Sequence, residues 1–189
     1  MDTMQALMSR ISVPPKLLGD PAPEGADLDE LLAAAMRAPD HGALQPWRFL
    51  IVRGEARARL GEVFVDALKK RDPAADEEAI EKERNRPLHA PMIVVAYAKV
   101  DPSIEKVPVV EQIVSTGTAA YNIMLAAQAK GYGAIMLTGA NAYDSTVKSA
   151  LGLQASDAIV AFIHLGTPIK QVSDKRRPDA QDFVSEWTG

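Results

Sequence analysis

The segment from about Val109 to Lys130 limits most strongly what this chain can fold into. Its middle, Gly117 to Ala129, is small or apolar nearly all round, with Ala119, Ala120, Ala126, Ala127 and Ala129. Gly131 follows, the residue type preferred just past a helix end. A helix that is apolar on every side has to be covered on every side. Small residues let another backbone approach closely, so this helix is expected at the centre of the fold or at a subunit interface.

The remaining segments supply the layers around it. Met4, Leu7, Met8 and Ile11 recur at helical spacing behind Asp2 as N-cap, and Pro14-Pro15 ends that run. Asp27 with Glu30 reads as a capping box ahead of a second helix, whose stripe is Leu28, Leu31, Leu32, Ala35 and Met36. Trp47 to Val52, Met92 to Tyr97, Gly133 to Thr138 and Ala158 to Leu165 read as buried strands. A helix is expected from about Glu55, a solvated charged one between Asp72 and Arg86, and a short one from Asp144 to about Gly152. The fold class is α+β, an α/β sandwich with several helices around a sheet of four or five strands. With 189 residues and no linker or repeat, residues 1–189 are expected to form one domain. After Pro168 the tail is polar, yet it carries Phe183, Val184 and Trp187, so it is expected to dock rather than fray.

Composition removes several chemistries. The chain has no cysteine, which excludes disulfides, thiolate nucleophiles and iron–sulfur clusters. A formal net charge of −4 argues against nucleic acid or an anionic membrane as the main partner. No run approaches a membrane span and no secretory signal pattern opens the chain, so a soluble, cytoplasmic protein is expected. The chain lacks a Gly-x-Ser-x-Gly elbow, a phosphate loop ending in Gly-Lys-Ser or Gly-Lys-Thr, and a His-Glu-x-x-His helix. His41, His89 and His164 are dispersed, and no metal site is expected. A redox role would need a borrowed cofactor.

Polar groups interrupt apolar elements at three places: Arg10 and Ser12, then Arg37, Asp40 and His41, then Thr138 with Gly139. An arginine beside a hydroxyl at a helix end suits phosphate oxygens, and equally suits a solvated helix terminus. His41 is a loop-bonding turn residue or a ligand-facing one, and Trp47 a core aromatic or a cofactor wall. Spacing alone reaches a globular domain with a candidate anion site.

Together the patches resemble the nitroreductase family of FMN-dependent oxidoreductases, in particular its compact YdjA-like branch. The resemblance is carried by Ser9-Arg10-Ile11-Ser12, Met36-Arg37-Ala38-Pro39-Asp40-His41 with Gln45-Pro46-Trp47, Ser115-Thr116-Gly117, Gly131-Tyr132-Gly133-Ala134 and Leu165-Gly166-Thr167-Pro168. It implies a mixed sheet wrapped by helices, and an intertwined homodimer with two FMN sites at the subunit boundary. It also implies ping-pong reduction of nitroaromatic, quinone or similar small acceptors with NADH or NADPH. By position, Arg10, Ile11 and Ser12 match the ribityl-phosphate side. Arg37 and His41 match positions that reach the partner's flavin, and Met136, Leu137 and Thr138 match the strand end along the cofactor. No catalytic side chain is assigned; the proton comes from water or His41.

Two positions depart from the pattern. Ile11 stands where the family usually has a second arginine, and Leu137 where the branch has one. Lys175 and Arg177 in the tail, with Lys16 as a further candidate, are expected to supply the charge that Leu137 lacks. The alternatives are a flavin-binding sensor or carrier with little turnover, and an offshoot performing dehalogenation or enal reduction. A dimer that has lost FMN is a third, weighed against by Arg10, Ser12, Arg37, His41 and Thr138 occurring together.

Overall fold

The computed structural model describes residues 2–189. Helix α1 (Thr3–Ser9) is capped by Asp2, whose carboxylate accepts from the Gln5 N–H at 2.8 Å. It ends before Ile11 because Arg10 turns extended. The apolar face expected to be buried is open within one chain: Met4 is 65% and Met8 74% exposed. A short strand β1 (Leu18–Gly19), which no periodicity signals, precedes α2 (Gly25–Ala35).

The expected capping box is not formed. Glu24 occupies the N-cap of α2 without a side-chain bond. Asp27 instead accepts from the Tyr132 hydroxyl at 2.7 Å, and Lys130 Nζ lies 2.9 Å from Asp27 and 2.6 Å from Glu30. The two acids therefore tie α2 to the far end of the long helix, and a tertiary cation has outcompeted local capping. These contacts hold the Asp27 carboxyl below its ordinary range, the Lys130 bond first and the Tyr132 bond second.

Five strands form the sheet: β1, β2 (Trp47–Arg53), β3 (Met92–Ala98), β4 (Gly133–Leu137) and β5 (Ala158–Pro168). Their spatial order is β2-β3-β5, and β4 and β1 follow one another along the other edge of β5. The α+β class and the strand count agree with the sequence; the expected mixed sheet does not. Every strand pairing among the described residues is antiparallel. Strands β3 and β4, joined through α5 (Val109–Ala129), run in the same direction, but β5 inserts between them and pairs antiparallel with both.

Alternation divides the sheet into two faces. Val94, Ala96, Ile163 and Leu165 pack under α5 and α2. Ile93, Val95, Ile159 and Phe162 pack under α3 (Ala56–Arg71) and α6 (Ser145–Ala150). As expected, α5 is central, with Ala119, Ala120, Ile123 and Ala127 at most 1% exposed. It ends where Gly131 takes φ +87°, a conformation costly for other residues. None of its 21 residues brings it to membrane-span hydropathy, and no helix among the described residues is long and apolar enough to cross a membrane.

The charged stretch forms α4 (Glu77–Asn85), which buries no residue, as its composition requires. Its crossing with α3 depends on Gly61, where a Cβ would lie 2.2 Å from the Arg84 carbonyl oxygen. Gly61→Ala is expected to destabilise the chain by about 1–3 kcal/mol through overpacking, read as a lowered urea midpoint. An unchanged midpoint would show that α4 can shift freely.

Candidate functional site

The free edge of β4 gathers most of the singled-out residues. The segment after α1 runs along it, with the Val13 N–H donating to Ala134 O at 3.0 Å. Gln128 of α5 donates to Ala6 O and Ser9 Oγ, at 3.3 and 2.8 Å, and so docks α1. About two turns back along α5, the Arg10 guanidinium lies over the Tyr121 ring, 5.7 Å from its centroid. Ile11 and Val13 face a cleft of about 320 Å³ between α1, the end of α5 and residues 168–172.

The tail returns to this corner. Arg177 donates to Arg10 O at 2.8 Å and pairs with Asp174 at 2.9 Å. Arg177 thus reaches the backbone of Arg10, 167 positions away, and Ser12 follows two residues later with an exposed side chain. Lys175 lies two residues before Arg177 and is exposed. Lys16, in the 3-10 turn Pro15–Leu17, acts electrostatically on His89.

At the other end of β4, the strand's alternation separates residues that sequence placed together. Met136 packs on the α5 side, whereas Leu137 lines a small cavity on the α3 side with Phe64, Phe162 and Thr138. On the α5 side Val160 is an extra residue in the β3–β5 pairing, and Gly117 lies over it. Bulges of this kind re-aim side chains beside binding sites.

Arg86 and His164 are the residues that sequence reasoning missed. Arg86 reads as one more charge on a solvated helix, but it opens the 3-10 turn Arg86–His89. Its Nη1 comes within 3.7 Å of where a Gly139 Cβ would stand. Glu83 holds it at 2.6 Å, and Glu83 also accepts from Asn141 at 2.7 Å. Arg71 continues the network to Asn141 at 3.0 Å and Asp144 at 2.6 Å, joining α3 and α4 to the loop after β4. The signal available was the Arg86-Pro87 junction, a cation at an element boundary. His164, 3% exposed, lies beneath the same cavity, and its Nδ1 has no partner among the described residues. Burial first, then His89 and Arg86, pushes the His164 imidazole down to about 4. His89 is likewise held below the usual imidazole range, by burial and then by Lys16 and Arg86.

Arg37 and His41 are not brought to this edge in one chain. They follow α2, which α5 holds on its other flank through Asn122 Nδ2 to Ala34 O at 3.1 Å and Ser115 Oγ to Pro39 O at 2.8 Å. Adjacent helix positions such as Tyr121 and Asn122 point about 100° apart, which separates the two groups around one helix. His41 Nδ1 donates to Glu111 in the first turn of α5 at 2.6 Å. The following loop holds Ala43 and Gln45 at φ +52° and +51°, left-handed values that cost non-glycine residues energy. Asp40 Oδ2 secures it by accepting from the Gln45 N–H at 2.7 Å. Trp47 is a core aromatic, 8% exposed, with Nε1 3.2 Å from Met36 Sδ.

A family model described as the nitroreductase family matches residues 7–167. Over 186 residues the chain is 39% identical to an Escherichia coli (strain K12) protein that carries the provisional name NAD(P)H nitroreductase YdjA, covering 98% of this chain and 99% of that one. A Haemophilus influenzae protein with the same provisional activity name is 36% identical over 186 residues, with the same coverage. Among solved structures, a nitroreductase-like family protein from Bacillus cereus superposes with a TM-score of 0.85 at 25% identity, covering 100% of this chain and 97% of that one. A Desulfovibrio desulfuricans protein provisionally named a nitroreductase, solved in complex with FMN, shares the fold at a TM-score of 0.72 and 23% identity, covering 98% of this chain and 97% of that one.

Proposed function

The chain belongs to the nitroreductase family, and from that premise we propose that it is a cytoplasmic, homodimeric FMN-dependent oxidoreductase. In this reading residues 1–189 form one FMN-binding domain, and NADH or NADPH reduces nitroaromatic, quinone or similar small acceptors in two half-reactions. The observation that carries the reading is the corner along the β4 edge where Arg177 bonds the Arg10 carbonyl, two residues before Ser12.

The residues present fit the cofactor. A phosphate monoester carries about −1.5 to −2 charges near neutral pH, and guanidinium and hydroxyl donors match its oxygens. Arg10, Ser12, Arg177 and Lys175 would hold it, with Ile11 contributing backbone and cleft wall. Met136 would line the ring system with its side chain, Leu137 and Thr138, turned to the α3 side, would contribute backbone, and Arg37 and His41 would reach the site of the second copy. When bound, FMN supplies a carrier that accepts a hydride from NAD(P)H and returns the electrons to an acceptor. Arg86, paired with Glu83 through Nη2, keeps Nη1 near Gly139, where it would offer N–H donors at the end of β4. Met136, Val160 and Gly117, each partly buried, would form apolar walls that limit the access of water at that end.

The homodimer reading rests on surfaces that one chain leaves open. Val110 and Val114 on α5 are 64% and 60% exposed, and α1 leaves Met4 and Met8 open. A groove of about 740 Å³ along the free edge of β2 is lined by Leu32, Met36, Trp47, Phe49 and Ile51. The tail carries exposed Phe183, Val184 and Trp187. A second copy would cover these faces, and obligate interfaces commonly bury over ~2,000 Å². A monomer in sedimentation at micromolar concentration would remove this part of the reading.

The direct test is a visible spectrum of the protein after FMN loading and desalting, before and after anaerobic NADPH or NADH. A retained yellow chromophore that bleaches is expected; colourless protein would overturn the proposal. Steady-state NAD(P)H oxidation with quinone and nitroaromatic acceptors separates an enzyme from a flavin carrier. In the Lys175→Ala, Arg177→Ala variant, FMN affinity is expected to fall at least about tenfold, since each charge-assisted bond contributes roughly 1.5–3 kcal/mol. Unchanged affinity across salt would remove the tail from the phosphate site.

A further inference from the structure

We infer that Glu111 is a positioning residue that fixes the His41 ring, keeping the proton on Nδ1 and leaving Nε2 as the atom presented to a bound ligand. The inference rests on His41 facing the ligand, as in the proposed function.

The loop carrying His41 is held without this pair. Ser115 Oγ donates to Pro39 O, Asp40 accepts from the Gln45 N–H, and Val107 Cγ2 lies 3.4 Å from where a Gly42 Cβ would stand. The His41–Glu111 pair is itself about half exposed, at 48% and 45%. Pairs of that exposure contribute little to stability, so anchoring the loop is not what this contact adds. What it does set is a single ring orientation. A 2.6 Å contact between Nδ1 and a carboxylate oxygen requires the hydrogen on Nδ1, whether the ring is neutral or charged. Nε2 then lies on the opposite side of the ring, and no described residue bonds to it.

The surroundings favour this assignment. Glu111 is in the first turn of α5, where the helix dipole favours a carboxylate and disfavours an unshielded imidazolium. Glu111 is the charged group that α5 turns toward the ring, and the neighbouring Asp40 is occupied by the Gln45 N–H. On the helix surface Glu111 adjoins the exposed Val114, three residues on, so the His41 ring it holds borders the open apolar strip that a second copy would cover. A neutral ring in this tautomer offers Nε2 as an acceptor for an amide or imide N–H, groups that nicotinamide and isoalloxazine both carry.

The test is the nitrogen-15 spectrum of the His41 imidazole at a pH where the ring is neutral, on the full chain before and after FMN loading. Wild type is expected to carry the hydrogen on Nδ1, and Glu111→Gln to keep it there because the amide oxygen still accepts. Glu111→Ala is expected to move the majority to Nε2, with FMN content unchanged and kcat for acceptor reduction lowered roughly tenfold. An unchanged tautomer in Glu111→Ala overturns the inference, and so does a changed tautomer with wild-type kcat. If wild type binds no FMN, the proposed function fails, while the tautomer comparison still decides the role of Glu111.

Discussion

Lowering the pH from 7 to 4 is expected to cost this fold about 3 kcal/mol through His164 alone. Its imidazole moves from an ordinary 6.5 to about 4 on folding, and each unit of difference corresponds to roughly 1.4 kcal/mol. Between those values the unfolded chain binds a proton that the folded chain refuses. Stability is therefore complete above about 6.5 and is lost progressively as pH falls towards about 4. His89, shifted in the same direction, adds to the loss. The cause is structural: His164 is buried in β5, beside β4, with Arg86 and His89 as its ionisable neighbours. Urea unfolding at pH 7 and pH 4.5 measures the effect, and His164→Leu should flatten most of the difference. An equally steep profile in that variant would show that other groups govern acid stability.

Gln112→Leu is expected to destabilise the chain by about 3 kcal/mol or more. The side chain is 1% exposed, and its amide serves three backbone groups. Oε1 accepts from the Asp101 N–H, and Nε2 donates to Asp101 O and Val107 O, all at 2.9 Å. Leucine fills the volume but leaves those groups stranded, at about 1–3 kcal/mol for each that water cannot reach. The loss should spread beyond the site of change, because Val107 packs against Gly42 and the loop that carries His41. Amide exchange accelerated at residues 101–107 and 40–45, with a lower urea midpoint, is the expected signature. A normal midpoint would mean that water replaces the amide at no cost.

Both expectations concern residues that periodicity passes over. Gln112 and His164 sit inside runs whose spacing identifies the long helix and the last strand. Their importance comes from what lies opposite them. The same applies to Asp27 and Glu30, whose spacing matches a capping box until Lys130 and Tyr132 arrive from 100 residues away.

The site shows the same division. Arg10, Ser12 and Thr138 stand out in the sequence because a polar residue at the end of an apolar element is a local signal. The tail's Arg177 was legible through family resemblance, and it does reach Arg10. Arg86 was not legible, since within Glu77 to Arg86 it is one charge among many. Only the α3–α4 crossing at Gly61 carries it to Gly139.

Sequence by itself determined the elements, the central apolar helix, the α+β class and the polar breaks where a ligand is expected. Those depend on 3.6- and 2-residue periods and on capping, which neighbouring residues set through the backbone. Tertiary structure decided that β5 would part β3 from β4 and make every pairing antiparallel. It also decided that Met136 and Leu137 would face opposite ways, and which ionisable groups would lose water. Those outcomes depend on contacts between residues far apart in the chain, and hydration and charge respond to what is packed overhead rather than to what is next in sequence.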